Sequence, residues 1–220
     1  MPGLKIHYPD VAFSQNKVTP DEMDMRHQYA VLKPSIGTAA VGTMAAGTVS
    51  GAMTLVNVAC DYPRNLLFTV VGPAGGVGGT CTIVGKDQFG RTQTESIAFA
   101  SANAGGTVAG TAVFDTVTSA TYYPNGGDNT STATLGYAFG TAAALKFWLG
   151  LPIKIAAAGD VKRITYIKNG VVTALTGGTI STYVSTTTHA ICGTEILAAT
   201  SDYVVDILSS YNSRNDTNVA

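Results

Sequence analysis

His189 and Cys192 stand three residues apart, and this H-x-x-C pair is the nearest the chain comes to a metal signature. On an extended strand, positions three apart project to opposite faces, so the two side chains converge only across a bulge. His7 and His27 lie far from them, in the N-terminal stretch. Gly75-Gly76-Val77-Gly78-Gly79 has the composition of a phosphate loop, but a strand pattern follows it and no G-K-[ST] occurs. The helix N-terminus that holds phosphate is therefore missing, and a β-turn is expected. Asp128, within Asn125-Gly126-Gly127-Asp128-Asn129, has the oxygen density of a calcium loop and equally that of a solvated turn. Tyr122-Tyr123 and Phe147-Trp148 suggest a sugar platform, but adjacent strand residues face opposite ways, so one of each pair is expected in the core. The remaining acids (Asp87, Glu95, Asp115, Asp160, Glu195, Asp202, Asp206) are scattered, and no G-x-S-x-G, H-E-x-x-H or C-x-x-C occurs. The expectation is a protein that is not an enzyme, with no cofactor and no bound metal.

Composition argues the same way. Charged residues make up only 12% of the 220, about half the usual share. Thirteen Lys and Arg stand against fourteen Asp and Glu, so no positive field exists to draw nucleic acid. The most apolar stretch, residues 142–158, is broken by Lys146, Pro152 and Lys154, which argues against a membrane span. The N-terminus has no apolar segment of the secretory kind. Cys60, Cys81 and Cys192 cannot all pair within the chain. Their apolar and Thr-rich neighbours favour buried free thiols from a reducing cytoplasm, with one bridge plus one free thiol as the alternative.

With 45% hydrophobic residues and 25 glycines, the chain has material for a core and for many tight turns. Runs rich in Val, Ile and Thr recur between turn signals from residue 52 onward, at intervals that suit a sandwich or barrel. Asp87-Gln88-Phe89-Gly90 suits a type I turn between strands over 80–86 and 91–100. Asn169-Gly170 is the signature of a two-residue type I′ hairpin joining 162–168 to 171–175. Asp61-Tyr62-Pro63 is expected to break a strand, and further strands are expected near 54–59, 64–71, 111–122, 145–148, 152–156, 189–197 and 202–208.

The first fifty residues differ. Thr19-Pro20-Asp21-Glu22 matches a capping box with proline at the first helical position, predicting a short helix over about 20–28. Leu4, Ile6 and Tyr8 alternate as a strand added to a sheet edge would. The reading is an N-terminal arm and connector (1–50) whose Leu4, Ile6, Tyr8, Phe13, Met23 and Tyr29 are the candidate partner-binding residues. Within it the small-residue stretch 36–50 is either a flexible connector or a strand packed closely on another backbone. Residues 51–220 form the body. The fold class expected is all-β, an antiparallel β-sandwich of jelly-roll or immunoglobulin-like type with an extended N-terminal arm containing one short helix.

Pro63-Arg64-Asn65-Leu66, a glycine-rich turn, then Gly85-Lys86-Asp87-Gln88-Phe89-Gly90 with Glu95 resembles a group of tailed-phage virion proteins. Gly110-Thr111-Ala112-Val113-Phe114 through Ser119, Leu149-Gly150-Leu151-Pro152 and Asp202-Tyr203-Val204-Val205 are similar to further words of that group, Val113 being an insertion shared with some members. The likeness spans about residues 61–208 and does not reach the arm. It implies a capsid decoration or cement protein on the virion surface, made in the host cytoplasm. It further implies the major capsid protein as partner and a homo-oligomer, a trimer if it sits on three-fold junctions, with no nucleic acid or membrane partner. A tail, neck or receptor-binding part and a carbohydrate-binding adhesion domain are the alternatives.

Overall fold

The computed structural model describes residues 10–12, 22–44, 51–72, 78–100, 105–124, 132–175, 180–193 and 196–212. In chain order the strands are β1 (Asp10–Ala12), β2 (Glu22–Leu32), β3 (Gly42–Met44), β4 (Gly51–Ala52), β5 (Thr54–Leu55), β6 (Ala59–Val71), β7 (Gly79–Lys86) and β8 (Thr92–Phe99). They continue with β9 (Gly105–Pro124), β10 (Thr132–Tyr137), β11 (Trp148–Gly150), β12 (Val161–Lys168), β13 (Val171–Leu175), β14 (Val184–Ser185), β15 (Ala190–Cys192) and β16 (Asp202–Asn212). Two short 3-10 turns, Ala158–Asp160 and Ile180–Tyr183, are the only helical elements among the described residues. The all-β, sandwich-like antiparallel fold expected from the sequence is the fold observed.

The strands form two antiparallel sheets. The smaller has the order β1-β2-β16-β12-β13. The larger runs β14-β15-β11-β6-β10-β3-β5, with β9 on the other edge of β6, β7 and β4 on β9, and β8 on β7. β6 is central to both cores, because its side chains alternate between them. Leu66, Phe68 and Val70 enter a core that the large sheet encloses by curling, with Ile83, Phe99, Phe114, Tyr122 and Leu135. Leu67 enters the core between the sheets, with Leu149, Ile191, Ile164, Tyr166, Tyr203, Val205 and Ile207.

Both hairpins form as expected. Gly90 N–H donates to the Asp87 carbonyl at 3.0 Å, and Gly90 takes φ +77°. Asn169 and Gly170 both have positive φ, 48° and 81°, as a type I′ turn requires. Cys60, Cys81 and Cys192 are all free thiols, the latter two buried. Burial pushes the Cys60 and Cys81 thiols up to about 12.

The helix expected over 20–28 is corrected. From Glu22 that segment is β2, paired residue by residue with β16 from Glu22↔Asn212 to Leu32↔Asp202. The capping chemistry at Thr19–Glu22 is local, and a full-length ladder with the last strand outweighs it. This part of the expected arm is thus an internal strand of the small sheet. Of the small-residue stretch, Gly42–Met44 forms β3 and the residues before it pack closely on the β10 backbone, while 45–50 lie outside the described residues. A Cβ on Gly136 of β10, the strand beside β3, would overlap the Gly37 carbonyl.

Asp61-Tyr62-Pro63 does not end a strand either. β6 runs through it, but Ala59↔Thr116 is followed by Arg64↔Phe114, so the residues between bulge out of the ladder. Proline is tolerated there because no ladder bond is asked of it. The strand expected at 145–148 appears instead as Trp148–Gly150, the one expected at 152–156 does not form, and that expected at 189–197 contracts to Ala190–Cys192.

Candidate functional site

The short words Pro63–Leu66, Asp87–Gly90, Glu95, Gly110–Phe114 and Leu149–Pro152 meet in space around two bulges. The first is the bulge before Arg64. The second lies in β9, where Asn65↔Val113 is followed by Leu67↔Ala109, leaving Gly110–Ala112 without ladder partners on β6. Backbone groups freed by a bulge must be satisfied some other way. Asn65 Nδ2 donates to the Gly110 carbonyl at 2.6 Å and to the Lys146 carbonyl at 2.8 Å, and Asn65 Oδ1 accepts from Trp148 N–H at 2.7 Å. Glu95 Oε1, reaching across from β8, accepts from Thr111 N–H at 2.5 Å and Ala112 N–H at 3.0 Å. Gln93 Nε2 donates to the Val113 carbonyl. β8 thereby closes onto β9 through side chains where no backbone ladder joins them. A Cβ at Gly110 would meet the Glu95 carboxylate, which would have to swing away from the bulge to admit it.

Replacing Glu95 with alanine is expected to lower stability by about 1 kcal/mol, since an exposed and a half-buried amide lose a charged acceptor. Glu95→Gln keeps an acceptor and should lose less. Urea denaturation of the pair of variants checks the order.

Arg64 is 2% exposed. Its guanidinium donates to Asp61 Oδ2 at 3.0 Å, the Ser35 carbonyl at 3.1 Å and the Ala138 carbonyl at 2.6 Å, and stacks 4.8 Å from the centre of the Tyr137 ring. Asp61 Oδ2 also accepts from Ser35 N–H at 2.8 Å, and the Tyr62 hydroxyl donates to the Leu32 carbonyl at 3.1 Å. The bulge at 60–63 is therefore what ties the end of β2 to the large sheet.

The hairpin tip docks on the same junction. Asp87 Oδ1 accepts from the Phe89 and Arg91 amides, both at 2.9 Å, and Arg91 pairs with Asp87 Oδ2 at 2.7 Å. Gln88 Nε2 donates to the Thr188 carbonyl at 2.9 Å, and the Phe89 ring meets His189 edge-on with centroids 5.5 Å apart. Gly150 sits where the words cross. A Cβ there would lie 2.6 Å from Val113, 2.9 Å from Pro63 and 3.2 Å from Gln88.

His189 adopts φ +49° and its Nδ1 accepts from Ile155 N–H at 3.1 Å. Burial lowers its pKa, the contact with the Ile155 carbonyl opposes this, Arg91 and Lys154 lower it further, and Asp87 opposes them. The folded protein therefore prefers the neutral ring, while the unfolded chain takes up a proton near the ordinary value of 6.5. Stability from this group is complete above about that value and falls as pH drops below it, levelling off once the folded-state ring also protonates. His189→Asn, which tolerates positive φ, should remove that component from a pH series of thermal melts.

Cys192 donates to the Gly193 carbonyl at 3.4 Å while His189 engages Ile155, so the two ends of the H-x-x-C have different neighbours. Among the described residues no group of three or more His, Cys, Asp or Glu converges as a metal site. Asp128 and the loop 75–77 lie outside the described residues. Of the candidate arm residues, Leu4, Ile6, Tyr8 and Phe13 also lie outside them. Met23 pairs with Tyr211 in β2. Tyr29 is turned toward the core between the sheets, where burial raises its hydroxyl pKa, and its ring stacks on His27 with centroids 6.5 Å apart.

Arg64, Asn65 and Glu95 belong to the resemblance words, but their roles at bulges depend on strand register and have no signature in sequence. The arrangement binds strand to strand, with Asn65, Glu95, Gln93 and Gln88 each bonded to backbone of another strand or loop and Arg64 to both backbone and Asp61. Compared with known proteins, the chain matches no family model, no curated protein and no solved structure.

Proposed function

We propose that this chain is a structural component of a tailed-phage virion, a decoration or cement protein bound to the capsid shell. The observation that carries the reading is how the resembling words are used. Their polar side chains are spent inside the fold on bulges and turns, as a scaffold requires, and what faces outward is a low-charge β surface. A cement protein stabilises a shell by burying surface where shell subunits meet, which needs a rigid body and complementary area rather than chemistry. The major capsid protein is the partner this reading names, and a homo-oligomer on the shell surface is the expected form.

The test is binding of the full chain to empty shells of a tailed-phage major capsid protein. Co-sedimentation and extra density on the shell by electron microscopy are the expected results. Density on the tail or neck, or no binding, overturns the reading. The arm is tested with a deletion of residues 1–9, which removes Leu4, Ile6 and Tyr8 and keeps β1 and β2. Weaker incorporation is expected.

A further inference from the structure

One edge of β2 is only partly covered. β1 pairs with β2 at Asp10↔Arg26, Val11↔Met25 and Ala12↔Asp24, and no strand among the described residues lies on that edge beyond Arg26. The last rung of the β2–β16 ladder, Leu32↔Asp202, fixes which residues turn their backbone groups toward that edge. The Asp202 N–H donates to Asn169 Oδ1 at 2.9 Å, and its carbonyl accepts from the Asn169 N–H at 2.8 Å. The Leu32 N–H donates to the Tyr62 hydroxyl, and the Leu32 carbonyl accepts from it. Leu32 and Asp202 therefore point away from each other, and the two kinds of rung alternate along an antiparallel pair. Ala30, Gln28, Arg26 and Asp24 share the orientation of Leu32. β1 meets Arg26 and Asp24, and Tyr62 meets Leu32. Between them the N–H and C=O of Ala30 and Gln28 face outward with no partner among the described residues.

We infer that this gap is the docking site of the chain's own residues 4–9, laid on β2 as a continuation of β1. Pro9 adjoins β1 directly, so the register already set carries forward: Tyr8 falls opposite Gln28, Ile6 opposite Ala30 and Leu4 opposite Leu32. Tyr8 and Ile6 stand at the rungs that exchange backbone hydrogen bonds with Gln28 and Ala30. Pro9 falls on the alternate rung, where the N–H that proline lacks would point away from β2, the place an edge strand tolerates proline. Leu4 meets a backbone already bonded to Tyr62, so the added ladder ends there, with the Leu4 side chain available to cover Leu32, which is 53% exposed.

The side chains agree with this placement. Val31 and Tyr29 face the core between the sheets, so Lys5 and His7, opposite them, fall on the inner face, and Leu4, Ile6 and Tyr8 fall on the outer one. The Tyr29 hydroxyl is buried with no hydrogen-bond partner among the described residues, and His7 is the polar residue that the register sets opposite it. Lys5 and Pro9 are the marks of a terminal strand, because an inward-pointing charge and a proline both discourage a further strand from pairing. Reaching a neighbouring copy would require the chain to leave β2 at Pro9, whereas docking on its own β2 requires no turn. The segment thus closes the edge of its own sheet, and the inference does not rest on the capsid reading.

Amide hydrogen exchange, followed residue by residue by NMR on the full chain, tests this. The Gln28 and Ala30 amides should exchange at least about tenfold more slowly than in a chain lacking residues 1–9. Tyr29 and Val31, whose amides face β16, are the controls and should stay protected in both. Ile6→Pro removes a donor aimed at β2 and should speed Ala30 exchange to the level of the deletion. His7→Pro, on an outward rung, should leave Ala30 slow. The proline pair reads the docking even if the deletion misfolds. Equal exchange at Gln28 and Ala30 in the full and shortened chains overturns the inference, as does an equal effect of the two prolines. Protection that fades on dilution means that a neighbouring copy supplies the strand, and it overturns the assignment to the chain's own segment. Shell binding is not read in any of these measurements, so their failure leaves the capsid proposal to its own test.

Discussion

Arg64→Ala is expected to destabilise the protein by about 3–5 kcal/mol, the range found when one partner of a buried ion pair is removed. The side chain is 2% exposed and joins three elements: Asp61 in its own strand's bulge, Ser35 after β2, and Ala138 after β10. Alanine leaves the Ala138 carbonyl without that donor and leaves Asp61 without its cation, and it empties the space beside Tyr137. Arg64→Lys restores a charge but not the planar fork that reaches Asp61 and Ala138 together, so it should recover only part of the loss. The measurement is the urea midpoint at unchanged slope. A loss below about 1 kcal/mol would mean that the junction behaves as a solvated surface pair.

Deleting residues 1–35 should abolish cooperative folding rather than merely release an arm. That deletion removes β2, which pairs with β16 along its whole length and supplies Val31, Tyr29 and His27 to the face turned toward the core. It also removes Ser35, one of the carbonyls that Arg64 holds. What remains is a small sheet with β16 as a long bare edge, the kind of edge that templates aggregation. Aggregated product and the loss of a single thermal transition are the expected outcome. A soluble truncated chain with a sharp melt would show that the small sheet tolerates losing an internal strand. The deletion of residues 1–9 proposed above spares β1 and β2, so the two truncations separate attachment from folding.

Much of the fold was legible because its turns are written in a few residues each. Asn169-Gly170 and Asp87–Gly90 declare their backbone angles, and the strands beside them came out within a residue or two. The burial of Cys81 and Cys192 followed from their neighbours in the same local way. β2 was misread because its capping signal is local, whereas its ladder partner lies at the other end of the chain. Asp61-Tyr62-Pro63 was expected to break a strand but bulges within β6, because whether such residues end a strand or bulge from it depends on the partner's register. The polar junction was harder still. Nothing in the spacing of Arg64, Glu95 and Gly110 says that one is buried, that another caps a bulge, or that the third lies against that cap.

The sequence by itself determined that the chain is all-β and where its two hairpins turn. Turn geometry and alternation depend on neighbours in sequence, so they can be read from it. The tertiary structure alone decided that Glu22–Leu32 is an internal strand, that the words converge on two bulges, and that Asp206 is buried between two arginines. Each of those depends on register between strands far apart in the chain, and register is set by the pooled packing and hydrogen bonding of whole strands.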